Sequence, residues 1–313
     1  MGREGDVGLG GEAQSLGMRP APLPPELGPV WSVSAARARG VHPERLRRQD
    51  LQTPFRGVRT TSSIDDVRRR CLAYRELAPP DAFFSHATAA ELWGLPVARG
   101  GLAIHVARPT DRRGARMAGV ISHHLQIDPR DLVDLDGLRV TSPARTWCDL
   151  ATILDLEHLV AAGDRVLWRR DPLAGLAEVR AVARRHPGRR GRRNRHAALP
   201  LLSDRSDSPA ESVIRMRILS AGLPAPVVNP VIRSRSGAFV ARVDLCWPQY
   251  RMVLEYEGDQ HRTDAAQWHR DLQRVPRLEE EGWHVTRAAD PDLADTTRII
   301  RNLERLMRTR TTT

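Results

Sequence analysis

Hydrophobic and polar residues alternate with a period of two between Val240 and His261, in the sequence VARVDLCWPQYRMVLEYEGDQH. This alternation is typical of β-strands with one buried face, and the break at Pro248–Tyr250 predicts a turn between two short strands. One face of the second strand is expected to pack on the core through Met252, Leu254 and Tyr256. Its opposite face carries two glutamates, so this strand is expected to direct acidic groups away from that core.

Three carboxylates are concentrated in this segment. Glu255 and Glu257 share a face of the second strand, about 7 Å apart, and Asp244 lies near the middle of the first strand. If the strands are antiparallel neighbours, Asp244 joins the two glutamates, and three like charges that close are costly unless a cation neutralises them. Oxygen ligands of this kind suit Mg²⁺ or Mn²⁺. The alternative for an isolated E-x-E is a solvated strand edge.

The surrounding residues predict a C-terminal domain over 208–313 with the order α-β-β-β-α-β-α. Its first helix opens with Ser208-Pro209-Ala210-Glu211, and this S-x-x-E pattern is a capping box that gives Glu211 a structural explanation. A strand is expected from Val227 to Arg233, and a helix is expected between residues 263 and 281. The pattern therefore favours an α/β (α+β) fold for the domain.

Residues 31–62 predict a winged helix-turn-helix-like unit. Two short helices, Ser32–Arg39 and Pro43–Gln49, are separated by a glycine-containing turn, and an extended segment follows them. The arginines placed to contact DNA from the second helix and the wing are Arg45, Arg47, Arg48, Arg56 and Arg59. The alternative is an arginine-rich helical hairpin that makes no DNA contact. Residues 1–30, rich in glycine and proline, are expected to be disordered.

Residues 63–183 predict a mixed α/β region, and residues 184–207 predict a basic linker. Seven arginines fall between Arg184 and Arg195, interrupted by proline and glycine, which indicates a flexible linker or an arm that lies along phosphates. The middle region also holds histidines that lack partners at ligand spacing or, in the adjacent pair, face opposite sides of a strand. We interpret four of them as structural: His86, His105, His123 and His124.

The net charge of the chain indicates which classes of molecule it binds. All 49 basic residues are arginine, and the net charge of +11 favours a polyanion, with nucleic acid ahead of an anionic membrane surface. Cys71, Cys148 and Cys246 form no C-x-x-C pair, which argues against a zinc ribbon or a disulfide framework. No apolar run reaches the length of a membrane span, and the first thirty residues lack the apolar core of a signal peptide. We therefore expect a cytoplasmic protein without a membrane partner.

The order of the C-terminal elements, with Glu211 on the first helix, Asp244 on a strand and E-x-E on the next, resembles the PD-(D/E)xK nuclease superfamily and its Vsr-like endonuclease group. That group shows E-x-D/E-G-x-x-H followed by D-x-x-R-x-x-x-L-x-x-x-G-W. The matching positions are Glu255, Glu257, Gly258, His261, Asp271, Arg274, Leu278, Gly282 and Trp283. The region Val41–Ala162 resembles AbiEi-type antitoxin/regulator domains through F-R-G-V, S-H-A-T-A-A-E-L-W-G-L and T-S-P-A-R-T-W-C-D-L-A.

The first resemblance implies a restriction-endonuclease-like fold and a DNA endonuclease that depends on Mg²⁺ or Mn²⁺. Asp244 and Glu255 would be direct metal ligands, together with the backbone carbonyl of Tyr256. Glu257 would be a third ligand or the base that orients the attacking water. The superfamily's signature lysine is replaced by Glu257, and the chain contains no lysine that could substitute for it.

Other residues would assist the reaction. His261 would protonate the leaving group or hold the phosphate, with a surface histidine in a turn as the alternative, and Arg274 and Arg287 would contact phosphate. Glu211 would support the site from behind the metal ligands. Because the lysine is missing, the alternative function is a non-catalytic DNA-binding transcriptional regulator or antitoxin-like protein. Such a protein would carry a degenerate nuclease fold and act with a toxin–antitoxin partner.

Overall fold

The computed structural model describes residues 21–98, 101, 103–111, 114, 116–258 and 274–310, and these residues form a mixed α/β structure, which confirms the predicted fold class. Its helices are α1 Val33–Ala38, α2 Val67–Arg75, α3 His86–Leu92, α4 Pro143–Leu150, α5 Leu156–Leu167, α6 Leu176–Arg185, α7 Arg192–Ala198, α8 Pro209–Ser220, α9 274–280, α10 Asp290–Ala294 and α11 Thr297–Arg310. Its strands are β1 Val30–Ser32, β2 Val58–Thr60, β3 Phe83–Phe84, β4 Ile104–Pro109, β5 Val120–Leu125, β6 Leu132–Leu135, β7 Leu138–Thr141, β8 Val227–Val228, β9 Val231–Arg233, β10 Phe239–Arg242, β11 Leu245–Trp247, β12 Met252–Glu257 and β13 His284–Ala289. None of the helices described is both long and apolar enough to cross a lipid bilayer.

The N-terminal unit is built on an antiparallel pair of strands, β1 and β2. A small apolar core accompanies this pair and consists of Leu27, Trp31, Ala36, Val41, Leu46 and Leu51. The disorder predicted for residues 1–30 is wrong for their last part, because Pro25–Leu27 forms a 3₁₀ turn and β1 begins at Val30. Residues 1–20 lie outside the described residues. The burial of Leu27 against this core explains why the chain is ordered before residue 31.

The prediction of a second helix in this unit is wrong. Only Arg45–Arg47 is helical, as a single 3₁₀ turn, so residues 43–49 contain no α-helix that could act as a recognition helix. Leu46 is the sole buried residue of that segment, and a helix this short needs a continuous apolar face to be stable. The Arg45 guanidinium instead donates to both carboxylate oxygens of Asp50 at 3.0 and 2.8 Å and to the carbonyl of Ala21 at 2.7 Å.

Five strands in the order β5-β4-β3-β7-β6 form the sheet of the middle region. β4 and β5 are parallel, as are β3 and β7, and the other neighbours are antiparallel. α2 packs on this sheet through Cys71 and Tyr74, which contact a core that includes Phe84, Val106 and Val140. The region is mixed α/β, in agreement with the sequence pattern.

Residues 184–207, predicted to be a basic linker, are an ordered part of the helical layer beside this sheet. They contain α7, and Ala198 of that helix belongs to the apolar core around Trp147. Arg195 is buried, and its guanidinium donates to the carbonyls of Gly188 and Arg190 at 2.7 and 3.2 Å. The linker prediction is therefore wrong. The run of arginines reveals charge, but it does not reveal that one guanidinium donates to two nearby carbonyls inside the protein.

The C-terminal domain contains a four-stranded sheet in the order β13-β12-β11-β8, with β12 and β13 parallel and the other neighbours antiparallel. β9 and β10 form a separate two-stranded sheet. Met252 and Leu254 pack in one core with residues of α8 and α11, as their alternation predicts. The strand expected from Val227 to Arg233 is interrupted at Asn229-Pro230, because proline has no N–H to donate to a strand ladder.

A buried ion pair joins the middle region to the C-terminal domain. Asp164 on α5 accepts hydrogen bonds from Arg215 Nη2 at 2.8 Å and Ser212 Oγ at 2.7 Å, both on α8, and from the backbone N–H of Ser203 at 2.7 Å. Burial raises the pKa of Asp164, and the nearby donors offset this effect only in part. The carboxylate therefore depends on its three donors, because an unpaired charge at this depth is strongly unfavourable.

We expect Asp164→Ala to lower the free energy of unfolding by about 3–5 kcal/mol, because it leaves Arg215 buried without a counter-charge. The matched control is Asp171→Ala, which removes an exposed carboxylate 3.4 Å from Arg165 Nη2 and is expected to cost at most about 1 kcal/mol. Urea denaturation followed by circular dichroism measures both changes. Equal losses in the two variants would contradict the structural role of Asp164.

Candidate functional site

Asp244 lies where the chain passes from the small sheet to the large one. β10 pairs with β9 and β11 pairs with β12, so the segment predicted as one continuous strand is broken just before Leu245. Leu245 on β11 lies opposite Leu254 on β12. Extending this antiparallel register by one residue places Asp244 opposite Glu255. Asp244 Oδ2 accepts the backbone N–H of Tyr256 at 2.7 Å. The carboxylate is thereby held against the end of β12.

Glu255 is the buried member of the E-x-E pair, with 3% of its surface exposed. Arg274, at the start of the described part of α9, donates from Nη2 to Glu255 Oε2 in an ion pair. The other oxygen, Oε1, is buried and has no hydrogen-bond partner among the described residues. A buried carboxylate oxygen in this state costs free energy, and an additional cation would recover part of that cost.

Glu257 lies at the end of β12 and faces solvent. Its side chain is 55% exposed, and its Oε1 is 3.1 Å from Nε of Arg287, which is equally exposed. Within the described part of the chain, Asp244, Glu255 and Glu257 do not bring one oxygen each to within 4.8 Å of one another. The three carboxylates are therefore more dispersed than the sequence predicts, because β12 leaves the protein interior between Glu255 and Glu257.

Glu211, on the first turn of α8, is the second buried carboxylate of this region. Its burial and the negative charge of Asp244 raise the pKa of Glu211 to about 7. The N–H of Glu211 donates to Ser208 Oγ at 3.2 Å, but the Glu211 carboxylate accepts from the N–H of Asp207 at 3.0 Å and not from that of Ser208. The predicted capping box is therefore half formed: Ser208 caps the helix, and Glu211 bonds the residue before it.

Asn229 connects two members of the site and is not among the site residues that the sequence predicts. Its side-chain amide donates to Glu211 Oε2 at 2.6 Å, and its backbone N–H donates to the carbonyl of Asp244 at 2.8 Å. Its φ of 48° lies in the left-handed region, which asparagine tolerates better than most residues. The Asn-Pro dipeptide with Pro230 is a turn signal that could have located the break, but it carries no sign of the partners.

Arginines from two elements surround the acidic groups. Arg274 pairs with Glu255, and Arg287 on β13 pairs with Glu257, so both guanidiniums lie beside the acidic groups, and their contact with phosphate stays a prediction. Burial lowers the pKa of the Arg274 guanidinium, while the negative charge of Asp244 raises it. His261 falls within residues 259–273, which lie outside the described residues.

The arginines predicted to contact DNA from the N-terminal unit are not equivalent. Arg45 is committed to Asp50 and the Ala21 carbonyl, and its side chain is 11% exposed. This geometry removes Arg45 from the predicted DNA-contacting set, because its guanidinium is used inside the unit. The exposed members of the set are Arg47, Arg48 and Arg56.

The arrangement has the chemistry of a site for a hard divalent cation. Glu211, Asp244 and Glu255 are carboxylates of one region beside the half-buried guanidinium of Arg274, but among the described residues these three also do not bring one oxygen each to within 4.8 Å of one another. Burial first and the negative charge of Asp244 second raise the pKa of Glu211, and Oε1 of Glu255 is buried without a hydrogen-bond partner among the described residues. Mg²⁺ and Mn²⁺ prefer such carboxylate oxygens, so the residues fit the metal that the nuclease resemblance implies.

No protein-family model matches this chain. In structural comparison, the crystal structure of the Rv2827c protein from Mycobacterium tuberculosis covers 66% of this chain and 83% of its own, with 15% sequence identity and a TM-score of 0.39. In sequence comparison, the uncharacterized proteins Rv2248 and MT2308 of Mycobacterium tuberculosis are each 30% identical over 200 residues, which cover 63% of this chain and 70% of each relative. The chain therefore belongs to the protein family that contains Rv2248 and MT2308.

Proposed function

We propose that this protein is a metal-dependent DNA endonuclease that hydrolyses phosphodiester bonds in its C-terminal domain. The observation that carries the proposal is the buried carboxylate oxygen of Glu255 that has no hydrogen-bond partner among the described residues, next to Glu211, whose pKa is raised first by burial and then by the negative charge of Asp244. A shifted pKa of this kind at one edge of a sheet is typical of a functional site. The sheet, with an antiparallel pair followed by a parallel last strand, supports the resemblance to the PD-(D/E)xK fold.

In this proposal Asp244 and Glu255 hold the metal ion, together with the backbone carbonyl of Tyr256. When bound, Mg²⁺ or Mn²⁺ supplies charge neutralisation at the scissile phosphate and lowers the pKa of the attacking water. Asp244 is fixed for this role by the N–H of Tyr256 and by the contact of its own carbonyl with Asn229. Glu257 is exposed at the end of the same strand, where it can orient a water molecule.

Positive charge for the phosphate comes from Arg274 and Arg287. Both guanidiniums are already paired with the acidic residues of the site, so they lie within one side-chain length of any phosphate bound there. Arginine stays protonated at neutral pH and binds phosphate in a bidentate manner, but it cannot act as a base. Without lysine in the chain, any proton transfer must therefore use carboxylates, with His261 as a further candidate.

The N-terminal unit supplies DNA affinity in this proposal. Its exposed arginines Arg47, Arg48 and Arg56 can neutralise backbone phosphates, and the net charge of +11 favours association with any nucleic acid. Because residues 43–49 contain no α-helix, these contacts are expected to be to the backbone and not to base edges in the major groove. The expected binding is strong at low salt and weakly selective for sequence.

One observation favours the second candidate function, a non-catalytic DNA-binding regulator or antitoxin-like protein that acts with a partner protein. Arg274 already pairs with Glu255, and the chain has no lysine in place of the signature lysine of the superfamily that the domain resembles. If that ion pair persists when divalent metal is present, the domain keeps the fold without the reaction. Metal-dependent cleavage of DNA distinguishes the two candidate functions.

We expect the wild-type protein to nick supercoiled DNA only when Mg²⁺ or Mn²⁺ is present, and Asp244→Ala to reduce the rate at least about 100-fold. The control Glu280→Ala removes an exposed carboxylate from α9 of the same domain and is expected to leave the rate unchanged. Gel electrophoresis of plasmid DNA measures the rates. DNA binding without cleavage in wild type and Asp244→Ala alike would reject the nuclease and favour the regulator.

Glu211 predicts a pH dependence of stability. Its pKa rises from an ordinary 4.5 to about 7 in the folded protein, so it stabilises the fold at low pH and that stabilisation is lost as the pH rises through about 7. Between pH 5 and pH 8, wild type is expected to lose about 2–3 kcal/mol relative to Glu211→Gln, which cannot ionise. Urea denaturation at several pH values measures the difference.

Urea denaturation at several pH values is repeated with Mg²⁺ as a control. If Asp244 and Glu255 hold Mg²⁺, millimolar Mg²⁺ is expected to reduce the pH-dependent loss in wild type, because it offsets the negative charge near Glu211. If the free energy of unfolding of wild type and of Glu211→Gln changes with pH in the same way, the raised pKa of Glu211 is contradicted.

The arginines of the N-terminal unit are tested by the triple variant Arg47→Ala, Arg48→Ala and Arg56→Ala. We expect weaker DNA binding and a salt dependence that is less steep by about 2–3 in the log–log slope, since each lost phosphate contact removes about one. Fluorescence anisotropy with labelled duplex DNA at several salt concentrations measures both quantities. A matched control replaces three exposed arginines of α11, namely Arg301, Arg305 and Arg308. An equal effect of this control on DNA binding would reject a specific role for the N-terminal unit.

A further inference from the structure

Three histidines that are far apart in the sequence meet in the middle region. One ring nitrogen from each of His86, His105 and His123 lies within 4.8 Å of the other two. His105 Nδ1 and His123 Nε2 are 3.0 Å apart. The rings of His86 and His123 are stacked, with centroids 3.9 Å apart and an angle of 16° between their planes, so one of them must turn out of the stack before both can direct a nitrogen at the same ion. The sequence-based interpretation of these histidines as separate structural residues does not anticipate this cluster.

The sheet and the start of α3 bring the three rings together. In the parallel register of β4 and β5, His123 lies opposite Ala107, which is two residues from His105, so both histidines are on the same face of the sheet. His124 is on the other face, as the alternation predicts. His86 is the first residue of α3, and the backbone N–H of Ser85 before it donates to the carbonyl of His105 at 3.2 Å.

The backbone of His86 is strained at its place in the cluster. Its φ of 50° lies in the left-handed region, which residues other than glycine seldom adopt. Its Nδ1 is 3.0 Å from Ser85 Oγ, so Nε2 is the nitrogen left for another partner. Strain of this kind persists where the surroundings fix it, and it is concentrated at functional sites.

The three imidazoles are kept in the form that binds metals. Burial lowers the pKa of His86 to about 4 and that of His123 to about 3, and it also lowers the pKa of His105. The negative charge of Asp149 acts in the opposite direction on His86 but does not outweigh burial. Burial therefore favours the neutral form of each ring, and a neutral ring nitrogen carries the lone pair that a metal needs.

We propose that His86, His105 and His123 bind one divalent transition-metal ion, with Zn²⁺ as the best chemical match. Three neutral imidazoles are a common zinc ligand set, with Zn–N distances of about 2.0–2.1 Å that place ligand nitrogens about 3.3 Å apart in a tetrahedral site. Mg²⁺ prefers oxygen ligands, so this site differs in metal from the carboxylate site of the C-terminal domain. The hydroxyl of Ser85 on His86 Nδ1 is the outer contact that fixes a ligating ring.

A second cluster of metal-binding residue types has a sufficient structural explanation. Asp155, Glu157 and His158 also come within 4.8 Å of one another. Asp155 is the N-cap of α5, and its Oδ1 accepts the N–H of His158 at 3.0 Å. Glu157 accepts two hydrogen bonds from Arg217 at 2.8 and 3.0 Å. The histidine cluster is more deeply buried, and a bound ion would replace the contact between His105 Nδ1 and His123 Nε2.

The proposed ion would tie three elements together. His86 begins α3, His105 is on β4 and His123 is on β5, so one ion would clamp the helix to an edge of the sheet. Among the described residues, no fourth histidine, cysteine or carboxylate meets the same distance limit with these three. Water or a small anion would therefore complete the coordination, and the ion is expected to raise the thermal stability of the middle region.

The test uses the full chain purified without a polyhistidine tag and freed of metal with EDTA. Zn²⁺ is titrated in competition with a chromophoric chelator, and Co²⁺ is added separately to record its absorption bands. Wild type is expected to bind one ion that His123→Ala binds at least about tenfold more weakly. His124→Ala, which changes the neighbouring histidine on the other face, is the matched control and is expected to bind as wild type does.

The outcomes are distinct. Zinc that raises the thermal midpoint of wild type and His124→Ala but not that of His123→Ala, with four-coordinate Co²⁺ bands lost in the same variant, supports the site. If His123→Ala does not fold, His105→Ala takes its place, because it removes a different ligand of the same cluster. No bound zinc in wild type, or equal binding in wild type and in the variants of His105 and His123, would overturn the proposal.

Discussion

The contact of Asp164 with Arg215 is the constraint on which the position of the candidate site depends. It joins α5 of the middle region to α8, and the first turn of α8 carries Glu211. Met216 of the same helix lies in the apolar core of the middle region, whereas Ile214 and Ile218 lie in the core of the C-terminal domain. α8 is therefore shared by two cores. A displacement of this helix would separate Glu211 from Asn229 and would change the field at Asp244.

Electrostatics at the candidate site is balanced by a small number of contacts. Asn229 donates to Glu211 and to the Asp244 carbonyl, and Arg274 pairs with one oxygen of Glu255. These contacts hold the acidic groups in place without neutralising all of them, since Glu211 still has a raised pKa. A site in this state gains more from a cation than a set of exposed carboxylates would, because its side chains are already ordered and desolvated.

Local patterns predicted the parts of the structure that depend on local physics. The alternation in β12 located its core face with Met252 and Leu254, and S-x-x-E located the start of α8. Patterns failed where distant partners decide the structure. The break at Asp244 arises because β10 and β11 pair with strands of different sheets, and no residue near Asp244 encodes that choice.

The same limit explains the other differences. Arg45 was assigned to DNA because its charge is visible in the sequence, whereas its partners Asp50 and Ala21 depend on how the chain folds back. His105 and His123 are eighteen residues apart, and only the parallel register of β4 and β5 brings their rings into contact. Metal-ligand spacing within one segment therefore could not reveal the cluster. Contacts across a sheet require its register, which a single sequence does not contain.

Arg274 is the residue on which the choice between an enzyme and a regulator depends. A lysine in a nuclease site can lose its proton when buried, but arginine stays charged, so Arg274 can act only as a fixed positive charge. While it bonds Glu255 Oε2, that oxygen is shared, and Oε1 remains for a metal ion. The pair is therefore compatible with catalysis if the metal needs one oxygen of Glu255, and incompatible if it needs both. Asp244, held by the N–H of Tyr256, is the second carboxylate of the proposed metal site in either case.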